Sequence, residues 1–119
     1  LNASGQCGNG SVGGMLTTPT VVAGLTGVTE LAAGEHFTCA LRRDGAVACW
    51  GNNDYAQLGD AALFVSRATP TTVPGLAGVA SLTAGASHAC ARLNDGTVRC
   101  WGAYGLGQLG GGHLFNVRF

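Results

Sequence analysis

Apolar residues along this chain come in short bursts bounded by glycine and proline, each the length of a strand rather than of a helix. Strands are predicted near 18–22, 28–33, 36–42 and 46–51, and again near 69–73, 79–84, 87–93 and 97–102. Alternation in the central strands is weak. Phe37, Leu41 and Val47 fall on one face, while Ala40, Ala48 and Trp50 fall on the other. Both faces are thus fairly apolar, and such a sheet needs cover on both sides. Blades stacked face to face around an axis supply that cover, so the predicted class is all-β, built as β-propeller blades.

The strand pattern repeats at an offset of 51 residues without a gap. Gly34 falls on Gly85, Cys39 on Cys90, Asp44-Gly45 on Asp95-Gly96, and Cys49-Trp50-Gly51 on Cys100-Trp101-Gly102. Upstream, Pro19, Gly24, Leu25, Gly27 and Val28 match Pro70, Gly75, Leu76, Gly78 and Val79; downstream, Gln57-Leu58-Gly59 matches Gln108-Leu109-Gly110. Asn2, Gln6 and Gly8 fall in turn on Asn53, Gln57 and Gly59. The chain therefore divides into the end of a preceding repeat at 1–17, a complete repeat at 18–68, and a second at 69–119 that runs into the start of a following one. Both ends lie within a repeat and the only methionine is Met15, so a processed product or an excerpt of a longer chain is expected.

Arg43-Asp44-Gly45 and Asn94-Asp95-Gly96 suit three-residue hairpin loops with glycine in the left-handed conformation. If Arg42 pairs with Ala46, counting outward sets Cys39 opposite Cys49, and the same count sets Cys90 opposite Cys100. Two disulfides are expected, each contributing about 2–3 kcal/mol by closing a short loop; the alternative is two pairs of reduced, buried small residues. Zinc is disfavoured, because nine residues separate the members of each pair where zinc knuckles use two to four. Cys7 stands where the other repeats carry Leu58 and Leu109, which suits a thiol acting as a small apolar residue. Disulfides would also indicate an oxidising setting, extracellular, cell-surface or periplasmic.

Composition removes several partners. Six basic residues, all arginine (Arg42, Arg43, Arg67, Arg92, Arg99, Arg118), balance six acidic ones, and they form neither a basic face for nucleic acid nor a basic helix for an anionic membrane. No apolar run approaches the roughly 20 residues of a membrane-spanning helix. His36, His88 and His113 do not recur in register and make no ligand set; His88 suits a structural role within its blade and His113 a surface loop. Asp44 and Asp95 belong to turns, and Glu30, Glu35, Asp54 and Asp60 form no acid–base pair. Asn2-Ala3-Ser4 and Asn9-Gly10-Ser11 fit the glycosylation triplet, a pattern that chance supplies often. Trp50 and Trp101, beside the hairpin cysteines in each unit, are expected in the core rather than stacked on a ligand. No catalytic residue, metal or cofactor is expected.

The blocks Ala33-Gly34 to Cys39-Ala40-Leu41, Asp44-Gly45 to Cys49-Trp50-Gly51-Asn52, and Gln57-Leu58-Gly59 resemble regulator of chromosome condensation repeats. The second unit departs in carrying Arg92 at the place of Leu41, and the resemblance covers residues 2–110. It implies blades of a larger, seven-bladed ring, and its cysteines look like the variant found in secreted or surface-associated bacterial proteins. The namesake's roles in nucleotide exchange and chromatin docking rest on insertions and basic loops that have no match here.

The expected function is a non-enzymatic module for protein–protein interaction. Contacts are sought in the segments after Gln-Leu-Gly, where Leu63, Phe64 and Arg67 recur as Leu114, Phe115 and Arg118. Packing against a neighbouring blade would explain the same recurrence. The alternatives are a structural surface or assembly subunit completed by other copies or by the parent chain and, more remotely, an enzyme such as a lyase with its site at a propeller mouth.

Overall fold

The structure, a computed structural model, describes residues 2, 4–10, 12–15, 21–22, 24–53, 58 and 66–102. Seven strands are seen among them. β1 (Val28–Ala33), β2 (Phe37–Arg42), β3 (Val47–Gly51) and β4 (Arg67–Thr72) form an antiparallel sheet in that order, and β5 (Val79–Ala84), β6 (His88–Leu93) and β7 (Val98–Gly102) form a second. Six of the seven start and stop within a residue of the expected positions. The expected strand at 18–22 lies largely outside the described residues.

The seventh differs in its partner. The segment expected near 69–73 to open the second unit runs from Arg67 to Thr72 and pairs with β3 of the first sheet, Ala48 facing Thr72 and Cys49 facing Thr71. Sequence periodicity fixes the spacing of strands but not the phase at which one sheet ends, so a strand at a repeat boundary can join either neighbour. As an edge strand, β4 tolerates Pro70, which has no N–H to give to a ladder.

The hairpins set the register. Arg42 N donates to Ala46 O at 2.9 Å and Gly45 N to Arg42 O at 3.0 Å; Leu93 N donates to Thr97 O at 2.8 Å and Gly96 N to Leu93 O at 3.0 Å. Gly45 and Gly96 take φ of 85° and 87°, the left-handed conformation that closes this loop without a Cβ penalty. Cys39 then faces Cys49 and Cys90 faces Cys100, each pair with Cα atoms 4.1 Å apart, and both pairs are disulfide-bonded. That separation belongs to the close, non-hydrogen-bonded sites of an antiparallel ladder.

The core lies between the sheets. From the first sheet it takes Ala32, Phe37, Cys39, Leu41, Val47 and Cys49, all on one face; from the second it takes Leu82, Ala89, Ala91 and Trp101, all on the opposite face. Leu58, Val73, Leu76 and Val79 close it. The units therefore stack head to tail, the front of one on the back of the next, with β5 against β1 and β2. Backbone bonds tie this junction: Glu35 N to Ala86 O at 3.0 Å and Val79 N to Gly45 O at 3.2 Å. Glu30 Oε1 accepts from Leu82 N at 3.4 Å.

The two outer faces differ. On the back of the first sheet, Ala40, Ala48 and Trp50 are buried, and the segment of residues 4–10 lies over them: the Trp50 indole N–H donates to Gln6 O at 2.7 Å, Thr38 Oγ1 to the same oxygen at 3.4 Å, and Gly10 N to Ala68 O at 3.0 Å. Leu31, however, is 64% exposed where its counterpart Leu82 is 5% exposed, and on the front of the second sheet Val98 is 61% exposed where its counterpart Val47 is 0%.

The disulfides share that asymmetry, Cys39 and Cys49 being sealed while Cys90 and Cys100 are half-buried. Graded reduction followed by alkylation and peptide mass mapping should open Cys90–Cys100 well before Cys39–Cys49; the reverse order would contradict the packing described. Replacing Cys39 and Cys49 together by alanine should cost about 3 kcal/mol in denaturant unfolding.

Candidate interaction surface

Loops gather at the two ends of the stacked sheets. At the hairpin end, Asp44 Oδ1 accepts from Ala46 N at 3.0 Å, and Asp95 Oδ1 accepts from Thr97 Oγ1 at 2.6 Å and Thr97 N at 2.9 Å. The Thr97 hydroxyl and then its backbone N–H hold the Asp95 carboxyl below its ordinary range, with a smaller contribution from the charge of Arg99. Beside the first hairpin, Thr26, Gly27, Arg42, Arg43 and Asp44 line a cavity of about 250 Å³.

At the other end, Gly34 and Gly85 precede β2 and β6, and each lies beneath a ring: Phe37 over Gly34 and His88 over Gly85. A Cβ at either position would run into that ring, so close approach requires glycine there. His88 is half-buried and makes within its unit the contact Phe37 makes in the other. His36 Nε2 stands 3.4 Å from Glu35 Oε1 and His36 Nδ1 3.5 Å from Gln6 Nε2, but both members of the His36–Glu35 pair are largely exposed, which leaves that pair little energetic weight.

Two buried asparagines hold the loops that follow the Trp-Gly strands. Asn2 is 1% exposed and its Oδ1 accepts from Cys7 N at 2.9 Å; Asn53 is 0% exposed and its Oδ1 accepts from Leu58 N at 3.1 Å. The brace is the same at the 51-residue offset, and Leu58 is carried by it into the core. In the sequence Asn2 fits a glycosylation triplet and also matches Asn53 at the repeat offset; its burial and its 3.3 Å bond from Nδ2 to Asn9 Oδ1 exclude the first use, and the match is the signal of the shared brace.

Of the expected contact residues, only Arg67 is described: it opens β4, half-buried, opposite Gly51. Leu63, Phe64, Leu114, Phe115 and Arg118 lie outside the described residues, as do His113, Asp54 and Asp60. Trp50 and Trp101 are both buried, Trp101 within the core between the sheets. Cys7 is half-buried and stands outside the two disulfides. Among the described residues, no three His, Cys, Asp or Glu side chains gather as a metal site.

Residues 28–57 and 79–108 each match the family model described as regulator of chromosome condensation (RCC1) repeat, and a second model of that description matches residues 44–92. The chain is 38% identical over 130 residues to the protein pim1 of Schizosaccharomyces pombe, covering 91% of this chain and 24% of pim1. It is 36% identical over 109 residues to the mitochondrial RCC1 domain-containing protein RUG3 of Arabidopsis thaliana, covering 89% of this chain and 24% of that protein. The fold is shared with Prp20p of Saccharomyces cerevisiae, at a TM-score of 0.85 and 24% identity, over 98% of this chain and 31% of that one. Human WBSCR16 superposes at a TM-score of 0.71 and 30% identity, over 82% of this chain and 26% of its own. The chain thus spans under a third of each of these proteins.

These likenesses correct the expectation of an extracellular, cell-surface or periplasmic setting: Prp20p, described by its binding to Gsp1p and histones and seen bound to Kap60, is a nuclear protein. The expectation rested on the cysteines. Hairpin register alone brings those thiols face to face, so their juxtaposition is a product of turn geometry and does not report a compartment.

Asn53→Ala leaves the Leu58 N–H without its acceptor and should cost about 1–3 kcal/mol of unfolding free energy, measured by urea denaturation. Because the folded carboxyl of Asp95 is depressed, its contribution to stability is present above the ordinary carboxylate pKa and lost as pH falls through the depressed one. Thr97→Val should move that titration up toward the ordinary range, as carboxyl-carbon NMR would read; an unmoved titration would show that the hydroxyl is not the main cause.

Proposed function

This chain belongs to the regulator of chromosome condensation repeat family, and from that premise we propose that it is a segment of a β-propeller that binds partner proteins through its loops. Repeats of this family are scaffolds without catalysis of their own. One observation carries the reading. The frame of the two units is held by the same turns and disulfides, while the residues at and beside its loops differ: Glu35-His36 in one unit against Ala86-Ser87 in the other, and Arg42-Arg43 against Leu93-Asn94. A constant frame with varied tips is how a rigid scaffold carries recognition.

The ring we propose is the seven-bladed one that the family resemblance implies. Exposure of Leu31 and Val98 where Leu82 and Val47 are sealed supports blades on both sides. So does the 31% of Prp20p that the chain covers, roughly the share of two blades with their flanks in such a ring. Within it, the segments bearing Leu63, Phe64 and Arg67, and Leu114, Phe115 and Arg118, are the proposed partner contacts. A second reading, an assembly subunit whose open faces are covered by other copies, draws on the same exposed valine and leucine.

Prp20p and its complex with Kap60 supply the partner classes to try first, a Gsp1p-type protein, histones and a Kap60-type protein. Titrated by calorimetry against the full-length protein, at least one should bind saturably, and replacing Phe64, Arg67 and Phe115 together by alanine should weaken it at least tenfold without lowering Tm. Retained affinity in that variant would remove the proposed contacts; turnover of a substrate, abolished by one loop substitution, would replace the scaffold reading. Val98→Asp in the full-length protein should cost about 3 kcal/mol, as for a core site. A cost within about 0.5 kcal/mol would mean that no blade covers it.

A further inference from the structure

The front of the second sheet carries a charge where the front of the first is apolar. Arg92 stands at the place of Leu41 in the 51-residue offset, and the register keeps the match: Arg92 faces Val98 and Ser81 as Leu41 faces Val47 and Glu30. Leu41 is 3% exposed, sealed in the core between the sheets, whereas Arg92 lies exposed beside Val98. Among the described residues Arg92 has neither a hydrogen-bond acceptor nor an ion-pair partner, and this face bears no carboxylate. The hairpin carboxylate of Asp95 is taken up by Thr97. Ser81 replaces Glu30, whose Oε1 accepts from Leu82 N across the first junction at 3.4 Å. The second front thus offers a positive donor where the first offers a negative acceptor.

We propose that the unit covering this face brings one carboxylate to Arg92, and that this cover is a different unit of the parent protein rather than a second copy of the chain. The cover rests on the propeller reading above; the carboxylate rests on Arg92. A guanidinium stays charged in a protein, so a layer seated on Val98 as the second sheet seats on Val47 removes a permanent charge from water. An opposite charge must meet it there, and the parallel N–H groups of arginine match both oxygens of a carboxylate. A backbone carbonyl would leave the charge uncompensated. A second copy is the wrong cover. Stacked as the second sheet stacks on the first, it would put Leu31 at the place of Leu82 and Arg42 at the place of Leu93, which packs against the core of the existing junction. Two guanidiniums would then share one junction. Residues 1–29, which include the segment over the back of that sheet, contain no Asp or Glu, and Asp44 is engaged by Ala46 N in its own turn. Like charges so placed act against the pairing.

The test uses the full-length protein. With ¹⁵N-arginine, the Arg92 Nε–H resonance, identified by its loss in Arg92→Lys, should exchange with solvent at least about tenfold more slowly than that of exposed Arg43. Arg92→Leu copies the residue of the first junction but strands the partner carboxylate, so near pH 7.5 it should lower the folding equilibrium constant about a hundredfold in urea unfolding. The stranded carboxyl has a folded pKa above its unfolded one. Stability of the variant is therefore kept below the ordinary carboxylate pKa and lost as pH rises through the raised one, and its gap from the parent should narrow toward about pH 4. His88, the titratable group that shares this face, is present in both proteins and drops out of the difference. Arg92→Lys keeps the charge and should lose less, with a flatter profile. Exchange at Arg92 as fast as at Arg43, or Arg92→Leu as stable as the parent while Val98→Asp is costly, would overturn the carboxylate and leave the ring standing. Neutral outcomes for both Arg92→Leu and Val98→Asp would remove the cover and the ring reading with it. Sedimentation velocity should show no more self-association in Arg92→Leu than in the parent; an increase would make a second copy the cover and overturn the proposal.

Discussion

A sheet that is apolar on both sides cannot be the last layer of anything, and that constraint organises this chain. Phe37, Cys39, Leu41, Val47 and Cys49 make one face of the first sheet and Ala40, Ala48 and Trp50 the other, and all are buried. The front is sealed by the back of the second sheet, the back by the segment of residues 4–10. Contacts of this kind are heterologous, front to back, and such contacts end only by closing into a ring or by meeting a different cap. Leu31 and Val98 mark where the rule is unmet within these residues.

The hairpin was the most legible part of the sequence because its physics is local. Asp-Gly at a fixed place in the loop determines the turn, the turn determines the register, and the register joins Cys39 to Cys49 and Cys90 to Cys100. The partner of β4 was not legible, since strand choice at a repeat boundary depends on how the chain returns through space. Nor were the roles of Asn2 and Asn53. A buried amide bonded to a backbone N–H five residues on leaves no hydrophobic periodicity to read.

Loop identity and frame identity are separable in this molecule. Gly34 under Phe37 and Gly85 under His88 show one geometric demand, a backbone without Cβ beneath a flat ring, met by two different rings. Residues that meet the frame's demand can vary within its tolerance, and residues at the tips are freer still. That separation lets tandem units share a mould while the assembled surface remains unlike from one unit to the next, which is what a recognition surface requires.

The two tryptophans occupy different junctions. Trp50 is held by Gln6 across the seam with the preceding segment, and Trp101 lies in the seam between the two sheets. Each indole is thus an optical probe native to one seam, and their emissions would separate the loosening of one junction from that of the other during unfolding. A chain of this design carries in its own repeat the means to tell whether its joints open together, as one cooperative body, or singly, as links.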